Sequence, residues 1–265
     1  MSQEIISEEI ISEKNKRGLG SNVLKLIAIA LMLMDHTAVV FQAEIESAFA
    51  NGDILYFWMR TLARVAFPLF AFYIAVGAQY TSNILKYMRR LAIFALISEI
   101  PFDLAFNGEW LEFTYQNVFF TLLLGLFCIF CYQKLKGVLY GLPALPITLI
   151  VMWLAEFVLQ TDYGAMGVLV IVLFYFARMA PKTAQIFILP AVCLLLTVYP
   201  YFNGLLPVGA AFNRAELFAV AAAPLMLLYN GEKGIRINRW FFYVFYPAHL
   251  LLLALLHGFL FGFAF

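Results

Sequence analysis

Nine apolar stretches, at about 23–41, 56–78, 91–106, 117–132, 139–159, 164–178, 185–200, 213–229 and 240–262, recur along a chain of 265 residues. A membrane-spanning helix uses about 20 residues, so with turns of five to ten residues this length holds no more than nine or ten crossings. Of all residues 64% are hydrophobic and 12% charged, against roughly 45–50% and about 25% in a soluble domain. A soluble globular enzyme is excluded. The pattern predicts an all-α, polytopic integral membrane helix bundle of about nine transmembrane helices. The short sixth and seventh stretches and the charged start of the eighth leave the count between eight and ten. Residues 1–22 carry four glutamates and three cations before any apolar run, which is a polar tail rather than a signal peptide. Residues 23–265 read as one multispan domain.

Charge sets the sidedness. With nine spans and a cytoplasmic N-terminus, the inner segments hold Lys14, Lys16, Arg17 and Lys25; Lys86, Arg89 and Arg90; Lys134 and Lys136; Arg178 and Lys182; and Lys233, Arg236 and Arg239. The outer loops hold Glu44, Glu46, Asp53, Glu109, Glu112 and Asp162, with no lysine. This is the positive-inside asymmetry, and it predicts a multi-pass protein of a bacterial-type cytoplasmic membrane. The net charge of +1 offers no basic surplus for nucleic acid.

Ionisable side chains within spans are costly and mark function by default. Counted from the cytoplasmic end of each span, Asp35 and His36 lie about 12 residues in, or ~18 Å. Arg64 lies at about 14, Glu99 at about nine, Asp103 at about 13, Glu216 at about 12 and His249 at about ten residues, a spread of roughly one helical turn. Five helices thus bring titratable groups to one level, which predicts a shared polar cavity. Neighbours on a helix point about 100° apart, so Asp35 and His36 face different ways, one toward the cavity and one toward a partner such as Arg64. Arg60 and Arg64 share a face, and Pro68 frees the carbonyl of residue 64 and bends that span. Glu99, Pro101 and Asp103 in SEIPFD read as a broken helix with two carboxylates. Each residue also has a structural reading: an Asp35–His36 packing pair, an Arg60 that snorkels, a hydrogen-bonded His249, and a capped helix start at Asn213, Arg214 and Glu216. Glu156, Asp162 and Tyr163 at an outer turn read as solvated.

Other patterns carry less. Cys128 and Cys131 lie in an apolar stretch, with Cys193 in another, and an odd number of such cysteines makes no disulfide framework. Three histidines in distant segments give no metal signature, and no phosphate-binding glycine motif is present.

The strings LKLIAIALMLMDH, RVAFPLFAFYIAVG, YMRRLAIFALISEIPFD, TDYGAMGVL, LLYNGEKG and RWFFYVFYPAHLLLL, in this order and over nearly the whole chain after residue 22, resemble the TraX family of integral membrane proteins. That resemblance implies a membrane-embedded acetyltransferase moving an acetyl group from cytosolic acetyl-CoA, its co-substrate, to an acceptor beyond the membrane. The acceptor is an amine, such as the N-terminus of pilin or another exported peptide, or a hydroxyl such as that of a surface glycan. The family is named for N-acetylation of conjugative pilin. A membrane-embedded histidine is essential in related acyltransferases, and the matching position here is His36, with Asp35 beside it. Arg64, Glu99, Asp103, His249 and Glu216 are the candidates for binding substrate or an oxyanion. Arg89, Arg90, Lys134, Lys136, Lys233, Arg236 and Arg239 are candidates for docking the anionic cofactor, and no metal is expected. A proton- or ion-coupled transporter, or a non-enzymatic factor in surface-polymer assembly, would also place charged groups at mid-membrane.

Overall fold

The computed structural model describes residues 18–197 and 214–262. The leading tail and the stretch bearing Asn213 lie outside these residues, and only the backbone of Arg214 is described. Every regular element among the described residues is helical.

Helix α1, Ser21–Val40, carries the first apolar stretch and leads into the short α2, Gln42–Ala48. The second stretch is bent, with α3, Gly52–Ala63, and α4, Ala66–Tyr80, meeting at Arg64 and Val65. Pro68, lacking an N–H, cannot donate to the carbonyl of residue 64. The turn there is tightened by bonds from Arg64 N to Thr61 O and Val65 N to Leu62 O. Helix α5, Ile84–Phe106, runs unbroken through Pro101, so SEIPFD is part of a continuous helix and not a break. It is followed by α6, Val118–Leu135, and α7, Ala144–Trp153, which ends in a π-helical turn at Leu154–Val158. Then come α8, Gly164–Ala177; α9, Lys182–Leu195; the short α10 and α11, Arg214–Leu217 and Ala222–Leu227; and α12, Arg239–Phe261. Asparagine N-caps start α5, α6 and α12, where the side chains of Asn83, Asn117 and Asn238 accept from Lys86, Phe119 and Trp240 N–H respectively.

Among the described residues five segments are long and apolar enough to cross a membrane: Ser21–Val40, Gly52–Tyr80, Val118–Leu135, Leu139–Val158 and Arg239–Phe261. Helices α8 and α9 have 14 residues each, or ~21 Å, short of the ~30 Å hydrocarbon layer. Leu145, Leu149, Ile150, Trp153 and Phe157 on α7, and Leu252, Leu255, Phe259 and Leu260 on α12, are exposed. Apolar surface of that extent suits acyl chains and not water.

Helix α4 is the pillar. It packs against α1, α6, α8 and α11, and 78% of its span's apolar window is buried, against 22–39% in the other four. Lipid tails are as apolar as leucine, so helix association rests on close packing and small residues. Gly77 on α4 admits the Tyr87 ring, whose Cε1 would lie 2.8 Å from an added Cβ, and Gly125 on α6 admits Ile171 of α8. Around this pillar α5 lies along α12, and α1 bridges α12 to α4. The C-terminal third of α1 thereby faces both the Arg64 bend and the middle of α12.

Gly125→Val should force α6 and α8 apart, because its Cβ would fall 2.8 Å from Ile171 Cβ. Overpacking of this kind costs about 1–3 kcal/mol, and a clear drop in melting temperature in detergent is expected. Gly137→Ala, with open space at its Cβ, should leave the temperature nearly unchanged; equal behaviour of the two variants would contradict the packing described.

Candidate functional site

Asp35 is the hinge of a charged network. Its Oδ2 lies 2.7 Å from Arg60 Nη1 and its Oδ1 3.2 Å from Arg64 Nη2. Arg64 Nη1 continues to Glu216 Oε1 at 3.3 Å, while Arg64 Nε donates to the Arg60 carbonyl at 3.1 Å. Three of the expected groups, Asp35, Arg64 and Glu216, thus meet on α1, the α3–α4 bend and α10. Arg60, one turn before Arg64, is an ion-pair partner rather than a snorkelling cation.

His36, turned away from Asp35, meets His249 instead: Nδ1 of His36 lies 2.7 Å from Nε2 of His249, with the rings parallel to within 8°. His249 Nδ1 lies 2.7 Å from the carbonyl of Phe245. A carbonyl only accepts, so His249 Nδ1 carries its proton, and its Nε2 accepts from His36 Nδ1–H when both rings are neutral. This assignment leaves a lone pair on His36 Nε2. Phe106 and Tyr246 pack edge-on against the His36 ring at 5.2 and 5.9 Å.

His36, Asp35, Arg60, Arg64 and Glu216 line a cavity of about 620 Å³. Its far wall comes from two loops that run side by side. Gln116 N donates to Gln160 O, and Asp162 N to Gln116 O. Tyr115 Oη donates to Asp162 Oδ1 at 3.0 Å, while Thr121 Oγ1 bonds to the Asp162 carbonyl. Tyr163 takes a left-handed backbone, φ 63°, and its ring stacks on Phe67 at 3.6 Å. Asp162 and Tyr163 therefore belong to the cavity wall. Glu156, too, is engaged, its Oε2 accepting from Ala165 N at the start of α8. Sequence reasoning placed all three in solvent; the turn TDYG before an apolar helix was the available signal. Burial pushes the Asp162 carboxyl up to about 6.

A second cavity, of about 520 Å³, lies toward the start of α1 and α12. Met32, Phe70, Val118 and Tyr246 line both cavities, so one partition separates them. Lys25, Arg90, Lys233 and Arg239 line the second. Of the cations expected to dock a cofactor, Arg90, Lys233 and Arg239 are there, whereas Arg89, Lys134, Lys136 and Arg236 are not among its lining residues; Lys25 was not expected.

Glu99 and Asp103 line neither cavity. Glu99 Oε1 accepts from Asn117 N and Nδ2, fixing the start of α6. Asp103 Oδ2 accepts from Glu112 N and anchors the 107–116 loop. His257 pairs with Glu44 at the far end of α12, 3.3 Å apart. Cys128, Cys131 and Cys193 are free thiols.

Residues 20–257 match the protein family described as TraX protein. The chain is also 32% identical, over 243 residues, to the "Probable fimbrial assembly protein FimC, serogroup H1" of Dichelobacter nodosus, a match covering 87% of this chain and 92% of that relative. No solved structure matches.

The Asp162 carboxyl titrates near 3.9 when unfolded and near 6 in the folded protein. Between those values the folded state binds more protons, so its contribution falls as pH rises from about 4 to about 6 and is constant above. Asp162→Asn removes this dependence. The variant should gain on the wild type across that window by something on the order of 2 kcal/mol, read as a widening difference in melting temperature. A pH-independent difference would refute the assignment.

Proposed function

This chain belongs to the TraX family, and from that premise we propose that it is a multipass acetyltransferase carrying an acetyl group from cytosolic acetyl-CoA to an amine or hydroxyl acceptor beyond the cytoplasmic membrane. The relative named for fimbrial assembly makes a pilin-like or other exported peptide a natural amine acceptor. In this reading the chain crosses the membrane about nine times with its N-terminus in the cytoplasm. Two features support the orientation: Lys25, Arg90, Lys233 and Arg239 gather at one end, and α1 and α12 run from there to Glu44 and His257 at the other.

The observation that carries the reading is the His36–His249 pair beside a polar cavity, with a basic cavity behind a shared partition. The acceptor enters the first cavity and the thioester approaches from the second. His36 Nε2 takes the acceptor proton as the nitrogen or oxygen attacks the thioester carbonyl. The tetrahedral oxyanion forms near Arg64, whose five N–H groups include three already bound to Arg60, Asp35 and Glu216; two remain. Collapse breaks the carbon–sulfur bond, and the imidazolium returns the proton to the departing CoA thiolate. His249 orients the base without touching substrate.

Purified protein in liposomes with acetyl-labelled acetyl-CoA tests this. His36→Ala should lower turnover by about 10²- to 10⁴-fold while the protein keeps its melting temperature within a few degrees, and His249→Ala should cost less. Undiminished transfer by His36→Ala would remove it from the mechanism. A second reading, a non-enzymatic assembly factor, is favoured by the relative's name; it requires that no thioester be consumed under any acceptor supplied.

A further inference from the structure

We infer that the second cavity is a docking site for a phosphate-bearing amphiphile, its phosphates held by Lys25, Arg90, Lys233 and Arg239 and its arm lying along Tyr73 toward the partition. Naming acetyl-CoA as the occupant rests on the proposed function; the site itself rests on the following geometry.

The four cations come from separate parts of the chain, α1, α5, the loop before α12, and the first residue of α12. Among the described residues none of them forms a salt bridge with a carboxylate. Glu232, on the same loop, is paired with none of them. Aromatic rings stand where counter-ions would. Lys25 Nζ lies 5.2 Å from the Tyr73 ring centre and 5.3 Å from that of Phe242, and Arg90 lies over Tyr87 and Tyr243 at 5.5 and 6.0 Å. Ring faces attract cations more weakly than an anion does, so the cluster retains a strong positive field.

Nor can these charges drift apart. The loop bearing Lys233 is sewn to the start of α1. Leu19 N donates to Leu228 O, Asn230 N to Leu19 O, Ser21 N to Glu232 O, and Asn22 N to Lys233 O. Asn22 Nδ2 adds a bond to Ile235 O. Gly20 lies so near Gly234 that an added Cβ would come within 2.6 Å of Gly234 Cα. A fold that fixes like charges around a hollow, with no acid among the described residues paired to them, is built for an anion.

The remaining lining distinguishes an amphiphile from a bare anion. Ile74, Leu91, Leu122 and Phe242 form apolar walls. Tyr73, 6% exposed, has a hydroxyl with no hydrogen-bond partner, although buried polar groups are nearly always paired. Its ring meets Tyr229 edge-on at 5.7 Å. An arm that parts these two rings supplies the missing acceptor, as an amide carbonyl would.

Binding of CoA to the full chain in detergent is the primary test, with vesicles of anionic phospholipid as the second arm. Lys25→Ala/Lys233→Ala should weaken CoA binding by roughly tenfold or more, and Tyr73→Phe by severalfold. Lys136→Ala/Lys182→Ala, an equal loss of charge outside the cavity, should change it little. Loss confined to the vesicle arm, with CoA never bound, would keep the phosphate site and assign it to a lipid headgroup, overturning the donor and not the cavity. Unchanged binding of both probes by Lys25→Ala/Lys233→Ala and Tyr73→Phe would overturn the inference.

Discussion

A charge among apolar helices must find a partner close at hand, and in this protein Asp35 meets that demand for two arginines at once. Breaking such a pair leaves an unbalanced charge, which typically costs 3–5 kcal/mol when buried. The Arg60–Asp35–Arg64–Glu216 chain therefore ties α1, both sides of the α3–α4 bend, and α10 into one arrangement. Everything at the first cavity depends on it. With Asp35 committed to the arginines, its helical neighbour points elsewhere and His36 is delivered to His249.

That division of labour has a chemical consequence. A histidine beside a carboxylate is held toward the charged state, whereas one hydrogen-bonded to a second, backbone-anchored histidine has a defined neutral tautomer. The carbonyl of Phe245 fixes the proton on His249, and His249 fixes it on His36. The free lone pair ends up on His36 Nε2, and that ring stands in the wall of a cavity that also holds Arg60 and Arg64.

Most of the apolar stretches fell on helices, because a run of about 20 apolar residues in lipid has one way to satisfy its own backbone, although the second stretch is divided at Arg64, the third begins at Ile84 and the eighth is broken into short turns. That Asp35, Arg64 and Glu216 would meet was also legible, since position along a helix is a count. Glu99 and Asp103 show the limit of counting. Counting placed them with the others, but rotation about the helix axis turns them to Asn117 and Glu112, where they hold loop backbone. Asp162 and Tyr163 escaped notice for the opposite reason: a short polar turn looks solvated until a second loop closes over it.

The order of letters alone determined that this chain is helical and apolar enough for a membrane, and that its cations gather apart from its outer acids, because each is a property of one segment and its solvent. Only the assembled bundle decided that His36 finds His249, that Lys25 and Lys233 share a hollow, and that one partition separates two cavities. Those facts depend on which helix faces which, and that is set by small residues such as Gly77 and Gly125 letting particular neighbours approach, a relation between distant segments that no single stretch contains.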